Sequence, residues 1–412
     1  MTDAATLGQE AASWIDANWD PDLSVGEWWA LLAAVGFSHP TLPENAGGRG
    51  TNRAGNAAIR QAISDAGAMG PPTGLGMMLA APTIAAHGNQ EQIDRLVRPI
   101  IEGTQAWCQL FSEPNAGSDL ASLQCSAIRD GDEYVVNGQK VWTSGGKVAD
   151  MGMLIARTDP SMPKHSGIAW FAFDMHQDGV DVRPLTEMTG RAIFNEVFLD
   201  DCRVHADDLI GDMGNGWRVA NDTLMFERMS LGANPVPLRS CSPGSIAGNL
   251  ERRAGDIVSA GRGGEDGVPA PNLAYWGRLV EVAREQGRLD DPVLRDQIVR
   301  FWSLAEVNRL TAMRGRAKGA SSASPNISKL MMSELYRSAR ELGASVIGMD
   351  ATLATRGDFE SAVQELVMFS PGPAIYGGTD QVQRNIIGER GLGLPREPGP
   401  AKETPFSELP KN

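Results

Sequence analysis

Glu227 occupies a position that a carboxylate should avoid. Trp217, Ala220, Leu224 and Leu231 recur at the three- and four-residue steps that line one helix face, and Glu227 falls in that series between Leu224 and Leu231. Burial on such a face disfavours the charged form and raises the pKa, which suits a general base working near neutral pH. The alternative is a glutamate that pairs with a buried arginine and only holds helices together.

Two loops are the other candidates for chemistry. Ser112-Glu113-Pro114-Asn115-Ala116-Gly117-Ser118-Asp119 clusters turn formers, so its backbone N–H groups are free to meet a ligand. Gly377-Gly378-Thr379-Asp380-Gln381 opens a helix carrying Val382 and Ile386. Glycines there allow close backbone approach, and the free N–H groups of a helix start suit a phosphate or a carbonyl oxygen that becomes negative. Each stretch alone also reads as a plain loop or a helix break. Trp142, ending a strand-like run, reads alone as ordinary core.

The elements that must position these residues fall into three blocks. Residues 1–103 read as helices with Pro/Gly punctuation: Leu31, Leu32 and Val35, then Ile93, Leu96, Val97 and Ile100, keep helical spacing. Residues 104–211 read as a β domain. Tyr134-Val135-Val136 and Gln139-Lys140-Val141-Trp142 flank Asn137-Gly138, a strong hairpin signal, and strand-like runs follow at 153–156, 168–173 and 196–199. Residues 212–397 return to helices, the first expected to stop at Pro235 and Pro237. A glycine-rich loop at Gly261 to Gly267 follows, then a helix capped by Asp291-Pro292 that bears Leu294, Ile298, Phe301 and Leu304 on one face. Residues 398–412 are polar and proline-rich, expected to be a loosely ordered tail.

With 42% hydrophobic and 21% charged residues over 412 positions, the chain is expected to fold nearly throughout. The net charge of −14 repels polyanions, which argues against nucleic-acid or anionic-membrane binding. The run Trp28 to Phe37 is too short to span a bilayer and reads as a core helix. Cys108, Cys125, Cys202 and Cys241 show no paired spacing, and nothing at the N-terminus reads as a signal peptide, so a cytoplasmic setting is expected. The five histidines form no metal-ligand spacing, and GxSxG, P-loop and GxGxxG patterns are missing, which argues against zinc hydrolases, serine hydrolases and Rossmann dehydrogenases.

Taken together and in order, five stretches resemble the acyl-CoA dehydrogenase family of flavoproteins. They are Phe111 to Asp119, Asp132 to Gly145, Phe194 to Asp201, Tyr376 to Ile387, and Pro43-Glu44 with Gly47-Gly48-Arg49-Gly50. The resemblance implies an α+β chain: an N-terminal helical domain, a middle β-barrel-like domain and a C-terminal four-helix bundle, with FAD between the last two. It implies that Leu110, Phe111 and Ser112 hold the flavin, that Trp142 lies against its isoalloxazine ring, and that Ser144 sits near its reactive nitrogen. It also implies that Ser118 lies near both flavin and thioester, with Thr379 and Gln381 meeting the cofactor from the C-terminal side. The implied reaction is α,β-dehydrogenation of an acyl-CoA thioester, with the backbone N–H of Gly377 donating to the thioester carbonyl as in an oxyanion hole. Electron-transfer flavoprotein or a similar acceptor would take the electrons.

Two departures from the family pattern sharpen this reading. Many members place the catalytic glutamate where this chain has Gly377, whereas the branch resembling isovaleryl-CoA dehydrogenases places it on the first bundle helix, where Phe226-Glu227-Arg228 matches. Glu227 is therefore the expected base, and Arg228 either places the base or the CoA ester or forms a structural ion pair. Gly377 leaves room for a bulky or branched acyl group, such as one on a steroid, or serves only backbone shape. The Arg-x-x-Phe-Gly segment that holds a neighbour's FAD is replaced by Tyr275-Trp276-Gly277-Arg278 and the loop before it, and a Gln-x-x-Gly-Gly stretch is replaced around Ala344 to Gly348. A homotetramer or, with a related chain supplying contacts, an α2β2 heterotetramer is expected. The competing readings are a flavin monooxygenase or oxidase on the same fold and a non-catalytic or cofactor-sharing subunit.

Overall fold

The computed structural model describes residues 3–231, 236–260, 270–315, 317, 319, 321, 323–353, 358–396 and 398–410. The expected helix stop at Pro235, the glycine-rich stretch Gly261 to Gly267 and the side chain of Leu231 lie outside the described residues.

Helices α1 (Ala4–Asn18), α2 (Val25–Ala34), α3 (Arg53–Asp65), α4 (Ala81–His87) and α5 (Gln90–Ile101) form the first layer, with a π-helical turn over Gly76–Ala80 leading into α4. A reciprocal cap starts α2: the Ser24 hydroxyl accepts from the Glu27 N–H while the Glu27 carboxylate accepts from the Ser24 N–H. Trp28 and Trp29 are fully buried, and their indole N–H groups donate to the carbonyls of Met69 (2.7 Å) and Gly70 (2.9 Å). The apolar run Trp28 to Phe37 is thus core. In α5, Ile93, Leu96, Val97 and Ile100 are all buried, as their spacing predicts.

A curled seven-stranded sheet follows, built from β1 (Trp107–Leu110), β2 (Ser126–Asp130), β3 (Glu133–Ser144), β4 (Met151–Arg157), β5 (Ile168–Asp174), β6 (Val180–Leu185) and β7 (Phe194–His205). Its order is β1-β4-β2-β3-β7-β6, with β5 pairing β4. The expected hairpin at Asn137-Gly138 does not form. Residues 133–144 run as one strand, and the turn lies earlier, at Gly131-Asp132 between the paired Asp130 and Glu133. Asn137-Gly138 instead marks a bulge opposite β7, where the register shifts between Val136 and Gly138. The Asn137 amide exchanges two 2.9 Å hydrogen bonds with Asp201 there. A Cβ on Gly138 would come within 2.8 Å of the Cys125 backbone, so the glycine serves close packing against β2 rather than a reversal of the chain.

The chain then enters α6 (Gly216–Leu231), and α7 (Ala254–Ser259) returns to pack Ala254 and Ile257 into the first helical layer. Helices α8 (Leu273–Glu285), α9 (Pro292–Arg314), α10 (Ser324–Ile347) and α11 (Asp358–Phe369) enclose a core of Leu279, Phe301, Leu342 and Val363, and α12 (Asp380–Ile386) lies against α10. The cap of α9 is the one its sequence predicts, with the Asp291 carboxylate accepting from Val293 and Leu294 N–H and Pro292 in the first turn. The C-terminal tail is not loose. Phe406 and Ser407 donate backbone N–H groups to Met162 and Pro160 (both 2.9 Å), and the Phe406 ring lies 3.7 Å from the guanidinium carbon of buried Arg157. An apolar and cationic surface on the β domain thus holds a segment whose polar composition alone suggests disorder.

Candidate active site

Helix α6 is wedged between the sheet and the helical layers. Val219 and Ala220 are fully buried in a core shared with Trp107, Phe111 and Trp170 of the β domain, and Trp217 and Leu224 pack against the same core. Thr223 fixes its position further, since the buried Thr83 hydroxyl of α4 donates to the Thr223 hydroxyl at 3.0 Å. His87 of α4 pairs with Asp222 at 2.8 Å. This docking carries Glu227 into the space between β1, α10 and the loop before α12. Its side chain is half-buried, yet protein surrounds the carboxyl closely enough that burial pushes its pKa up. The charges of Arg228 and Lys329 and the amide of Gln109 work in the opposite direction and do not overcome burial.

Among the described residues, Glu227 makes no ion pair. The buried ammonium of Lys329 donates to the carbonyl of Pro373, which also accepts from the Ser333 hydroxyl at 2.9 Å. Arg228 is half-buried, and burial lowers its pKa against the pull of Glu227. It too lacks an ion pair among the described residues. The Tyr376 phenol is pushed up by burial, and the charges of Tyr336 and Glu227 add to the effect, so Tyr376, in the loop before α12, lies within electrostatic range of the carboxyl.

That loop is held from behind. Gln383 donates to the Gly377 carbonyl at 2.8 Å and accepts from Asn326 at 2.8 Å, while Arg337 pairs with Asp380 at 2.8 Å. Gly377 has φ 64° and Gly378 φ 87°, a left-handed pair that a side chain would strain. Thr379 caps α12, its hydroxyl accepting from Val382 N–H at 3.2 Å, and Gln381 is exposed beside it.

The other predicted residues lie on the β domain. Leu110 and Phe111 are buried at the end of β1, Ser112 accepts through its carbonyl from Val141 N–H at 2.9 Å, and Ser118 is exposed in a loop tied down by Lys164 on Asp119. Trp142 is not core. It is 61% exposed and has φ 61°, a strained conformation for a tryptophan, at a second bulge between Lys140 and Thr143. Its ring meets Phe194 edge-on at 5.9 Å, and Ser144 follows it at the strand end. A large aromatic face turned outward by a costly backbone fits a planar ring such as a flavin. Tyr275 and Trp276, standing where a phosphate-binding arginine segment is missing, are used inside the bundle: Tyr275 is buried, and the Trp276 N–H donates to the Ile298 carbonyl at 3.1 Å.

Sequence reasoning missed Gln109 and Lys329 beside Glu227. Lys329 carries the same kind of signal as Glu227, because Asn326, Lys329 and Ser333 form a buried polar stripe at helical spacing on α10. Gln109 has a weaker one, a polar side chain in the buried strand Trp107-Cys108-Gln109-Leu110.

Comparison with known proteins bears on this arrangement. The chain matches the acyl-CoA dehydrogenase N-terminal domain over residues 5–104, the middle domain over 108–202 and the C-terminal domain over 277–392. It is 37% identical over 375 residues to acyl-CoA dehydrogenase IpdE1 of Mycobacterium tuberculosis, covering 90% of this chain and 88% of that protein. The chain belongs to the acyl-CoA dehydrogenase family. A mitochondrial isovaleryl-CoA dehydrogenase of Bos taurus is 32% identical over 214 residues, about half of each chain (51% and 50%). Among solved structures, the ChsE4-ChsE5 complex from Mycobacterium tuberculosis superposes with a TM-score of 0.69 at 28% identity, covering 96% of this chain and 98% of that one. As a family member the protein is an oxidoreductase, and the family implies a flavin cofactor, which the outward Trp142 and its surroundings fit. Among the described residues there is no cluster that could hold a metal ion, and no helix is long and apolar enough to cross a membrane.

Proposed function

We propose that this chain catalyses FAD-dependent α,β-dehydrogenation of an acyl-CoA thioester, with Glu227 as the base that takes the α-proton. The observation that carries this reading is the Glu227 carboxyl itself: desolvated, without an ion pair among the described residues, and within electrostatic range of Tyr376, next to Gly377. FAD, when bound, supplies the acceptor for the β-hydrogen, which leaves with both electrons of its bond. Leu110, Phe111, Ser112, Ser118, Trp142, Ser144, Thr379 and Gln381 would hold it. On the substrate side, the Gly377 N–H would donate to the thioester oxygen as negative charge develops there, Arg228 would steady the ester, and Ser118 would touch both ligands. A raised pKa makes Glu227 a stronger base once ionised.

The substrate class this reading favours is a bulky acyl-CoA, such as one carrying a steroid side chain, because Gly377 presents no side chain to the acyl group. We further propose that the chain works in an α2β2 tetramer with a related chain and passes electrons to electron-transfer flavoprotein or a similar acceptor. Two observations support a partner: Tyr275 and Trp276 are committed to the bundle core rather than free to bind a cofactor phosphate, and the ChsE4-ChsE5 neighbour is a complex of two chains. A cytoplasmic setting suits the four unpaired cysteines.

Flavin bleaching with short, branched and steroidal acyl-CoAs, for the chain alone and with candidate partner chains, tests the reading. Glu227→Gln is expected to slow bleaching by about 10²- to 10⁴-fold. Full turnover in that variant would overturn the assignment and favour a cofactor-sharing subunit.

A further inference from the structure

Gln109 carries a feature that the proposed chemistry does not use. Along β1, Trp107 and, one step past the strand, Phe111 join the core shared with α6, whereas Cys108 and Leu110 join the core on the opposite side of the sheet. Strand alternation therefore directs Gln109 to the α6 side, where it is a polar side chain on an apolar face. Its amide nitrogen is buried and has no hydrogen-bond partner of ordinary geometry. A buried N–H left unpaired is costly to folding, so its retention calls for a reason.

We propose that Gln109 is a positioning residue whose amide N–H closes on the Glu227 carboxylate and holds it ionised and aimed for proton removal. The inference rests on Glu227 being the base. The Gln109 amide already lowers the pKa of Glu227 against the larger upward effect of burial. Most of the other polar groups around the carboxyl have partners or carry charge. From α10, Lys329 is engaged by Pro373; from the loop before α12, Tyr376 is a neutral phenol whose ionisation Glu227 opposes; on α6 itself, Arg228 is the adjacent cation. From α4, Thr83 and His87 are committed to Thr223 and Asp222, while the π-helical turn contributes apolar Leu79 and β5 contributes Trp170, whose buried indole N–H is also without a partner. Other neutral donors in this region include the Tyr376 phenol and the indoles of Trp107 and Trp170, but among the described neutral donors only the Gln109 amide lowers the pKa of Glu227.

Infrared pH titration of the purified protein, with its flavin and any partner chain, can follow the protonated-carboxyl band that Glu227→Gln abolishes. Gln109→Met, close in shape but without a donor, is expected to move the midpoint of that band up by about one pH unit, a tenfold change in proton affinity. The acid limb of flavin bleaching should move by the same amount, with the rate recovering at high pH. A merely structural role would instead lower the rate equally at every pH. Coincident midpoints for the parent and Gln109→Met would overturn the inference. If Gln109→Met fails to fold, Gln109→Glu serves: a like charge in contact must raise the midpoint, and no rise would overturn the inference equally. A shifted band together with full turnover in Glu227→Gln would leave the contact standing and remove the base; an inactive Glu227→Gln with unshifted midpoints would remove Gln109 alone.

Discussion

Two buried carboxylates in this protein are treated in opposite ways. Glu113, in the β domain, accepts from the Lys140 ammonium at 2.9 Å and from the backbone N–H groups of Gln124 (2.7 Å) and Cys125 (2.9 Å), while Lys140, fully buried, also donates to the Phe111 carbonyl at 3.1 Å. Glu227, on α6, has Arg228, Lys329 and Gln109 nearby but no ion pair among the described residues, and burial dominates its proton affinity. Both loops and strands around Glu113 are stitched by its lone pairs. Among the described residues, Glu227 ties no loop or strand together in that way. A satisfied buried charge fixes geometry, whereas a buried charge left short of partners is available to take a proton, and that difference favours a structural role for the first and a chemical one for the second.

Breaking the satisfied site should cost most in stability. Lys140→Met leaves Glu113 charged and buried with only its backbone donors, so unfolding free energy is expected to fall by about 3–5 kcal/mol in denaturant titration. A loss under 1 kcal/mol would mean that Glu113 is not the structural counterpart described here.

The unsatisfied site should behave in the reverse sense. The folded-state pKa of Glu227 is raised, so its contribution to stability is fully present below the unfolded pKa and is lost as pH rises through the folded value. Glu227→Gln, permanently neutral, should therefore melt higher than the parent at pH 8, with the difference shrinking toward zero near pH 4. A variant that melts lower at pH 8 would show the carboxylate to be structural after all.

A third buried charge lies between these cases. Arg157 donates to the carbonyls of Ala121 and Lys164 (both 2.6 Å) and carries the Phe406 ring over its guanidinium, while burial lowers its pKa to about 10. Phe406→Ala is expected to cost about 0.5–2 kcal/mol and to make the C-terminal segment a protease target while the rest of the chain resists. An unchanged digestion pattern would mean that the backbone pairing at Met162 and Pro160 holds the tail without the ring.

The legible part of the site was legible because it violates a pattern. Glu227 breaks an apolar stripe, and Asp291-Pro292 announces a helix start through local hydrogen bonding alone. The errors came where one local signal serves two geometries. Asn137-Gly138 suits a two-residue reversal, but it also suits a bulge, and pairing of β3 with β7 over its whole length chose the bulge. Trp142 looked like core because tryptophan is mostly apolar; its exposure follows from a backbone twist that composition does not carry. Gln109 and Lys329 come from β1 and α10, far from Glu227 in sequence, so no window of residues could join them to it.

Local pattern by itself determined the order of helical and β blocks, the apolar faces of α5, α6 and α9, and the one carboxylate out of place, because helix and strand periods are properties of neighbours along the chain. Tertiary structure alone decided which groups surround that carboxylate, that Tyr376 comes within range of its charge, and that Phe406 brings the tail down onto Arg157. The physical reason is that proton affinity depends on charges, donors and excluded water within a few ångströms, and folding draws those from distant segments.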